Sequence, residues 1–151
     1  MRPMICPRRH PGWLRRGTAA AELVMVLPVL VTIVLSCLDF GQFAYNYIAL
    51  SNAVRAGAAW AMMNPPSSYT SPPPTWQASI VTTVGNEMSH QPGFQSGSLT
   101  VGTVTPVLNG DGTTYRFTVT ATYPFQTVIS YVGIPHSLTL SRMVTMRFIR
   151  P

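Results

Sequence analysis

Residues 23–38 read LVMVLPVLVTIVLSCL, an apolar stretch interrupted only by Pro28, Thr32, Ser36 and Cys37. With residues 18–21 before it and 40–43 after it, the run reaches the roughly 20 residues that carry a helix across a hydrocarbon core. A chain of 151 residues with such a span has room left for one small domain. The charge distribution points the same way. A net charge of +6 suggests a polyanion partner until the arginines are placed, because Arg2, Arg8, Arg9, Arg15 and Arg16 all precede Gly17. The remainder carries five arginines against four acids, so the basicity is an N-terminal block. Such a block beside an apolar run sets topology, with the basic end in the cytoplasm, and nucleic acid is not an expected partner. A content of 9% charged and 46% hydrophobic residues, with mean hydropathy +0.22, departs from both disordered chains and charged soluble enzymes.

Three other readings use the same run. A cleaved signal peptide also has a basic region and an apolar stretch, but VLSCLDFGQF offers no good small-x-small cleavage site. A lipoprotein would be cut near Cys37, with bulky Leu35 in a position that favours smaller residues. An uncleaved anchor carrying an extracytoplasmic binding domain is the third alternative. The two cysteines, Cys6 and Cys37, lie in the leader and the run, so neither a disulfide framework nor a metal-ligand spacing exists in the external part. Neither the signal peptide nor the lipoprotein accounts for Glu22. A carboxylate at the centre of a membrane helix costs about 2.5 to 3.5 kcal/mol on insertion scales, and less near the interface. Part of that cost is offset if Glu22 lies at the cytoplasmic interface, near the positive end of the helix dipole.

The pattern Arg15-Arg16-Gly17, Thr18-Ala19-Ala20-Ala21-Glu22-Leu23, followed by VMVLPVLVTIVLSCLDFGQFAYNYIALSNAVRAGAAWA, resembles the start of TadE-like pseudopilins. These are accessory proteins of tight-adherence (Tad/Flp) pilus systems. The resemblance covers about residues 15–63. It implies that a prepilin peptidase cuts after Gly17 and leaves Thr18 as the new N-terminus. It also implies that Glu22, five places on, is an assembly or recognition residue together with Leu23, which departs from the family pattern at a position where many members carry an aromatic or another bulky residue. Pro28 and the Asp39-Phe40-Gly41 step match as well. In pilin-like assemblies the carboxylate can pair with the freed α-amine of a neighbouring subunit, which relieves a buried charge. Pro28 lacks the N–H that would reach Val24, so a local kink is expected there.

Beyond the run, Phe40, Phe43, Tyr47, Leu50, Val54, Ala58 and Met62 recur at spacings of three and four and predict one buried helical face. The small residues between them, including Ala53, Gly57 and Ala61, permit close approach of another element. The helix must stop near Asn64, where NPPSSYTSPPPT begins. Trp76, Ile80, Val84 and Met88 then predict a short second helix. The segments LTVGTVTPVL and TYRFTVTATYPF flank NGDGT, a strong hairpin signal. The second of them alternates, with Tyr115, Phe117, Val119, Ala121 and Tyr123 on one side. In HSLTLSRMVTMRFIR, the residues Leu138, Leu140, Val144, Met146 and Phe148 share a parity to which Arg142 is the exception. The intervening QTVISYVGIP fits either a short helix or a loop at the membrane surface.

The expected architecture is α+β and pilin-like: a long N-terminal transmembrane helix extending into a small external domain with a short second helix and an antiparallel sheet of about three strands. The boundaries are a cytoplasmic leader at 1–17, a transmembrane helix at 18–43, its external extension at 44–63, a Pro/Ser-rich connector at 64–75 and an external α+β domain at 76–151. A looser C-terminal likeness to the same family rests on Tyr123-Pro124-Phe125. No catalytic constellation is evident, since His90, His136, Glu87 and Asp111 stand apart in sequence and GFQSGS around Ser96 is not a nucleophile elbow. An enzyme, a cofactor and a metal are therefore not expected. The resemblance implies a structural protein of the bacterial inner membrane whose partners are membrane lipid, a prepilin peptidase, other pilins and pseudopilins, and the Tad secretion machinery.

Overall fold

The computed structural model describes residues 14–110, 112–127 and 136–149. The basic leader through residue 13, Asp111 of the NGDG turn and most of the QTVISYVGIP segment lie outside the described residues. Helix α1 spans Leu14–Met63 and helix α2 spans Pro74–Met88. The strands are β1 (Thr100–Val101), β2 (Pro106–Leu108), β3 (Thr114–Gln126) and β4 (Ser137–Ile149). The chain divides into two compact units, one ending at Leu38 and one beginning at Asp39.

The first unit is helical through the apolar run, and the helix continues across Pro28. Thr32 Oγ1 donates to the Pro28 carbonyl and Ser36 Oγ to the Thr32 carbonyl, each at 2.8 Å. Both hydroxyls are thus satisfied within the helix, which lets them sit among apolar neighbours at small cost.

The second unit has a core of helix on sheet. Along α1 the fully buried positions are Leu50, Ala53, Val54, Ala58 and Ala61, the three-and-four spacing of an apolar stripe. The predicted face is displaced at its start, since Phe40 is 72% exposed and Tyr47 is exposed as well. Phe43 is the first aromatic to reach the core, where it meets Phe125 edge-on at 5.6 Å. The helix ends where expected, before Pro65 and Pro66. Trp76 Nε1–H donates to the Asn64 carbonyl at 2.6 Å, so the second helix caps the exit of the first. Trp76, Ile80, Val84 and Met88 are all buried, as their four-residue spacing predicts.

The sheet is antiparallel with four strands, one more than expected. β4 pairs with the whole length of β3, from Thr114↔Ile149 to Gln126↔Ser137. β1 and β2 pair with the other edge of β3, one opposite Thr122 and Ala121, the other opposite residues 115–117. The run LTVGTVTPVL is thus not one strand, and the cause is Gln77 of α2. Its Nε2 donates to the Gly102 carbonyl at 3.1 Å, and its Oε1 accepts from Val104 N–H at 3.0 Å. These side-chain bonds take the place of ladder bonds and draw Val104 into the core, where it is 1% exposed. The prolines occur where the sheet needs no donor. Pro106 lies opposite Phe117, and Pro124 lies opposite Thr139 beyond the end of β1. The β2–β3 hairpin closes through Asn109 N–H to Thr114 O (2.7 Å) and Gly112 N–H to Asn109 O (3.0 Å), with Gly112 at φ +71°. A positive φ of this kind is costly for residues other than glycine.

Candidate functional site

Two surfaces merit chemical scrutiny: the helix of the first unit, and the polar features of the second. On the helix, Thr18, Glu22 and Leu23 are exposed, and so are most of the large apolar residues from Val24 to Leu38. Burying one such side chain is favourable by about 1.5–3 kcal/mol, so the exposed run demands an apolar environment or a partner helix. By length and composition α1 can cross a membrane, with mean hydropathy 2.5 over its most apolar window.

The polar residues of this helix are not scattered. At about 100° per residue, Thr18, Glu22, Thr32 and Ser36 fall within roughly a quarter of the circumference, with Pro28 about 40° beyond it. Thr32 and Ser36 satisfy their hydroxyls within the helix, whereas lipid cannot satisfy a carboxylate, so it is Glu22 that favours turning this side of a membrane helix toward protein. Thr18 and Glu22 are separated by four residues, so they lie one above the other on this side.

Residues 17–59 match the family model of TadE-like proteins. The match opens at Gly17, takes in Glu22, Pro28 and the Asp39-Phe40-Gly41 step, and ends within the buried stripe of α1. No curated protein and no solved structure matches the chain. The TadE-like segment thus lies on the helix that is long and apolar enough to cross a membrane.

The second unit holds the residues that the sequence left isolated. Arg142, the misfit on the apolar side of β4, turns toward α1. Its Nε donates to Ser51 Oγ at 3.2 Å and its Nη1 to Tyr47 OH at 2.9 Å, with the guanidinium 5.5 Å from the Tyr47 ring centre. A parity break on β4 together with Tyr47 and Ser51 four residues apart on α1 was the available signal, but nothing in sequence pairs elements 91 residues apart. Asp39 is buried. His90 and Ser96 are exposed and lie on different segments, and among the described residues no three His, Cys, Asp or Glu side chains could share a metal ion. A cleft of about 260 Å³ is lined by Gln42, Asn46, Gln95, Ser98, Tyr123 and Phe125 among others. Its lining among the described residues has amides, two hydroxyls and aromatic rings, but no carboxylate, imidazole or thiol.

Proposed function

We propose that the chain is a TadE-like pseudopilin, a structural and assembly subunit of a tight-adherence pilus or a related secretion system. In this reading a prepilin peptidase cleaves after Gly17, and the helix from Thr18 onward packs beside those of other pilins. The observation that carries it is the family match beginning at Gly17 on a helix whose exposed polar stripe holds Glu22 four residues from Thr18.

The mechanism is one of charge and register. Cleavage creates an α-amine on Thr18 in the same stripe as Glu22. A neighbouring helix displaced along the axis by about 6 Å, four residues of rise, brings its amine level with this carboxylate. Removed from water, such a pair is strongly coupled, and a carboxylate without its partner is heavily penalised. Glu22 therefore rewards one axial offset between neighbours, while Leu23 and the apolar residues after it supply adhesion that is indifferent to offset. Pro28 leaves the Val24 carbonyl without its helical donor, a defect that a neighbouring helix can cover. The chain enters the inner membrane with its N-terminus cytoplasmic and its second unit extracytoplasmic.

The test is the N-terminal residue of protein purified from membranes, read by intact mass for the natural sequence and for a Gly17 variant. A chain that starts at Thr18, and no longer does so in the variant, is the expected result. A chain that retains its leader refutes pilin-type processing, and a start near Cys37 refutes the anchor itself.

A further inference from the structure

The register of β3 against β4 sets two arginines face to face, Arg116↔Arg147, on the side of the sheet away from the core. The pairing is of the close kind. Gly102 N–H donates to Thr120 O and Asn109 N–H to Thr114 O, so even-numbered β3 residues aim their backbone groups at β1 and β2. Arg116 and Arg147 are therefore a non-hydrogen-bonded pair, in which Cα atoms stand about 4.5 Å apart and side chains are nearest. Like charges directly opposite oppose sheet formation. Among the described residues neither guanidinium meets a carboxylate that would relieve them, and the acids are elsewhere: Asp39 is buried on α1 and Glu87 is exposed on α2, whose Trp76 packs against Phe117 on the core side. The next cross-strand pair is Thr118↔Thr145, whose hydroxyl oxygens are 2.9 Å apart. Two guanidiniums and two hydroxyls thus share one open patch.

We propose that Arg116 and Arg147, with Thr118 and Thr145, form a carboxylate-binding patch on the outer face of the sheet that docks an acidic side chain of a partner protein other than this chain. Paired arginines offer several N–H donors to a single oxyanion, and the bonds are charge-assisted. The setting selects a protein as the source. Small anions are held in concave sites, whereas this is an open strand face bordered by exposed Val107, Met143 and Ile149. Arginine and methionine beside apolar side chains are the composition of protein interfaces. The chain itself is a poor source of the carboxylate, since it has four acids in all: Glu22 directly before the apolar run, Asp39 buried, and the other two 24 positions apart at Glu87 and Asp111.

The experiment uses the full chain in detergent micelles and a hexaglutamate peptide carrying a benzophenone, with cross-linked positions mapped by mass spectrometry so that leader arginines are scored separately. The expected result is a cross-link on the outer face of β3 and β4 that falls at least tenfold in Arg116→Gln/Arg147→Gln and is unchanged in Arg55→Gln. Arg147→Thr, a substitution that strand residues favour, should weaken the cross-link while the melting temperature stays level or rises. Cross-links confined to the leader, or persisting in the double variant, overturn the proposal. So does displacement by inorganic phosphate or a heparin fragment at lower concentration than by unlabelled hexaglutamate, which would name a different anion. Self-association abolished alike by Glu87→Gln and by the arginine variants overturns it in favour of a second copy.

Discussion

At Gly57 α2 packs close against α1, and replacing this glycine with alanine tests that packing directly. A Cβ at this position would lie 2.5 Å from Val84 Cγ2 and 3.5 Å from Ile80 Cγ2. Both neighbours are wholly buried and β-branched, so their χ1 angles are stiff and the helices must part to make room. Overpacking of this kind costs about 1–3 kcal/mol. Against it stands the helix preference for alanine over glycine, about 1 kcal/mol. The balance is a net loss of about 1 kcal/mol, which corresponds to a melting temperature lower by roughly 4–8 °C for a domain near 100 residues. Denaturant unfolding of the full chain in detergent, followed by the fluorescence of Trp60 and Trp76, measures it. Val84→Ala removes the obstructing methyl, so the double variant should be more stable than the sum of the two single losses by about 1 kcal/mol. A Gly57→Ala protein as stable as the parent, or effects that simply add, would refute the inferred approach of the helices.

Replacing Gln77 with alanine strips both side-chain bonds to the β1–β2 segment. The part-buried Val104 N–H is left without an acceptor at a cost of about 1–3 kcal/mol, and its amide should exchange with deuterium markedly faster than in the parent. Arg142→Met keeps the apolar stem but loses the bonds to Tyr47 and Ser51; a stability loss of about 1 kcal/mol in thermal unfolding is expected, and none at all would mean the contact is incidental. Glu22→Ala should leave membrane insertion intact, because it removes a charge from the apolar span, yet reduce incorporation into any pilus-like assembly. Co-sedimentation of the variant with filaments at the parental level would remove Glu22 from the mechanism.

The parts of this protein legible from sequence are those governed by local periodicity. The apolar run, the three-and-four spacing from Leu50 to Ala61, the four-residue spacing of α2 and the alternation in β3 each record which side of an element leaves water. Burial is proportional to apolar area, so these patterns survive without knowledge of what lies opposite. Phe40 was misassigned for the same reason: the spacing includes it, but only the packing determines where the buried face begins, and Phe40 remains exposed. The likeness to TadE-like proteins was legible for a similar reason, since a family match over residues 17–59 depends on linear order alone.

What the sequence alone determined is the class of the chain: one membrane-length helix, then a small α+β unit whose apolar residues have the right period for a helix on a sheet. Only the tertiary structure decided the features that depend on pairing between distant elements. Gln77 divides an expected single strand in two because α2 happens to lie over it. Arg142 sits on an apolar face because Tyr47 and Ser51 stand across from it, and Arg116 meets Arg147 because a thirteen-pair register allows nothing else. Side-chain period is a property of one segment, whereas register and polar contacts belong to two, and a polar group with no local partner shows its purpose only when the second segment is in place.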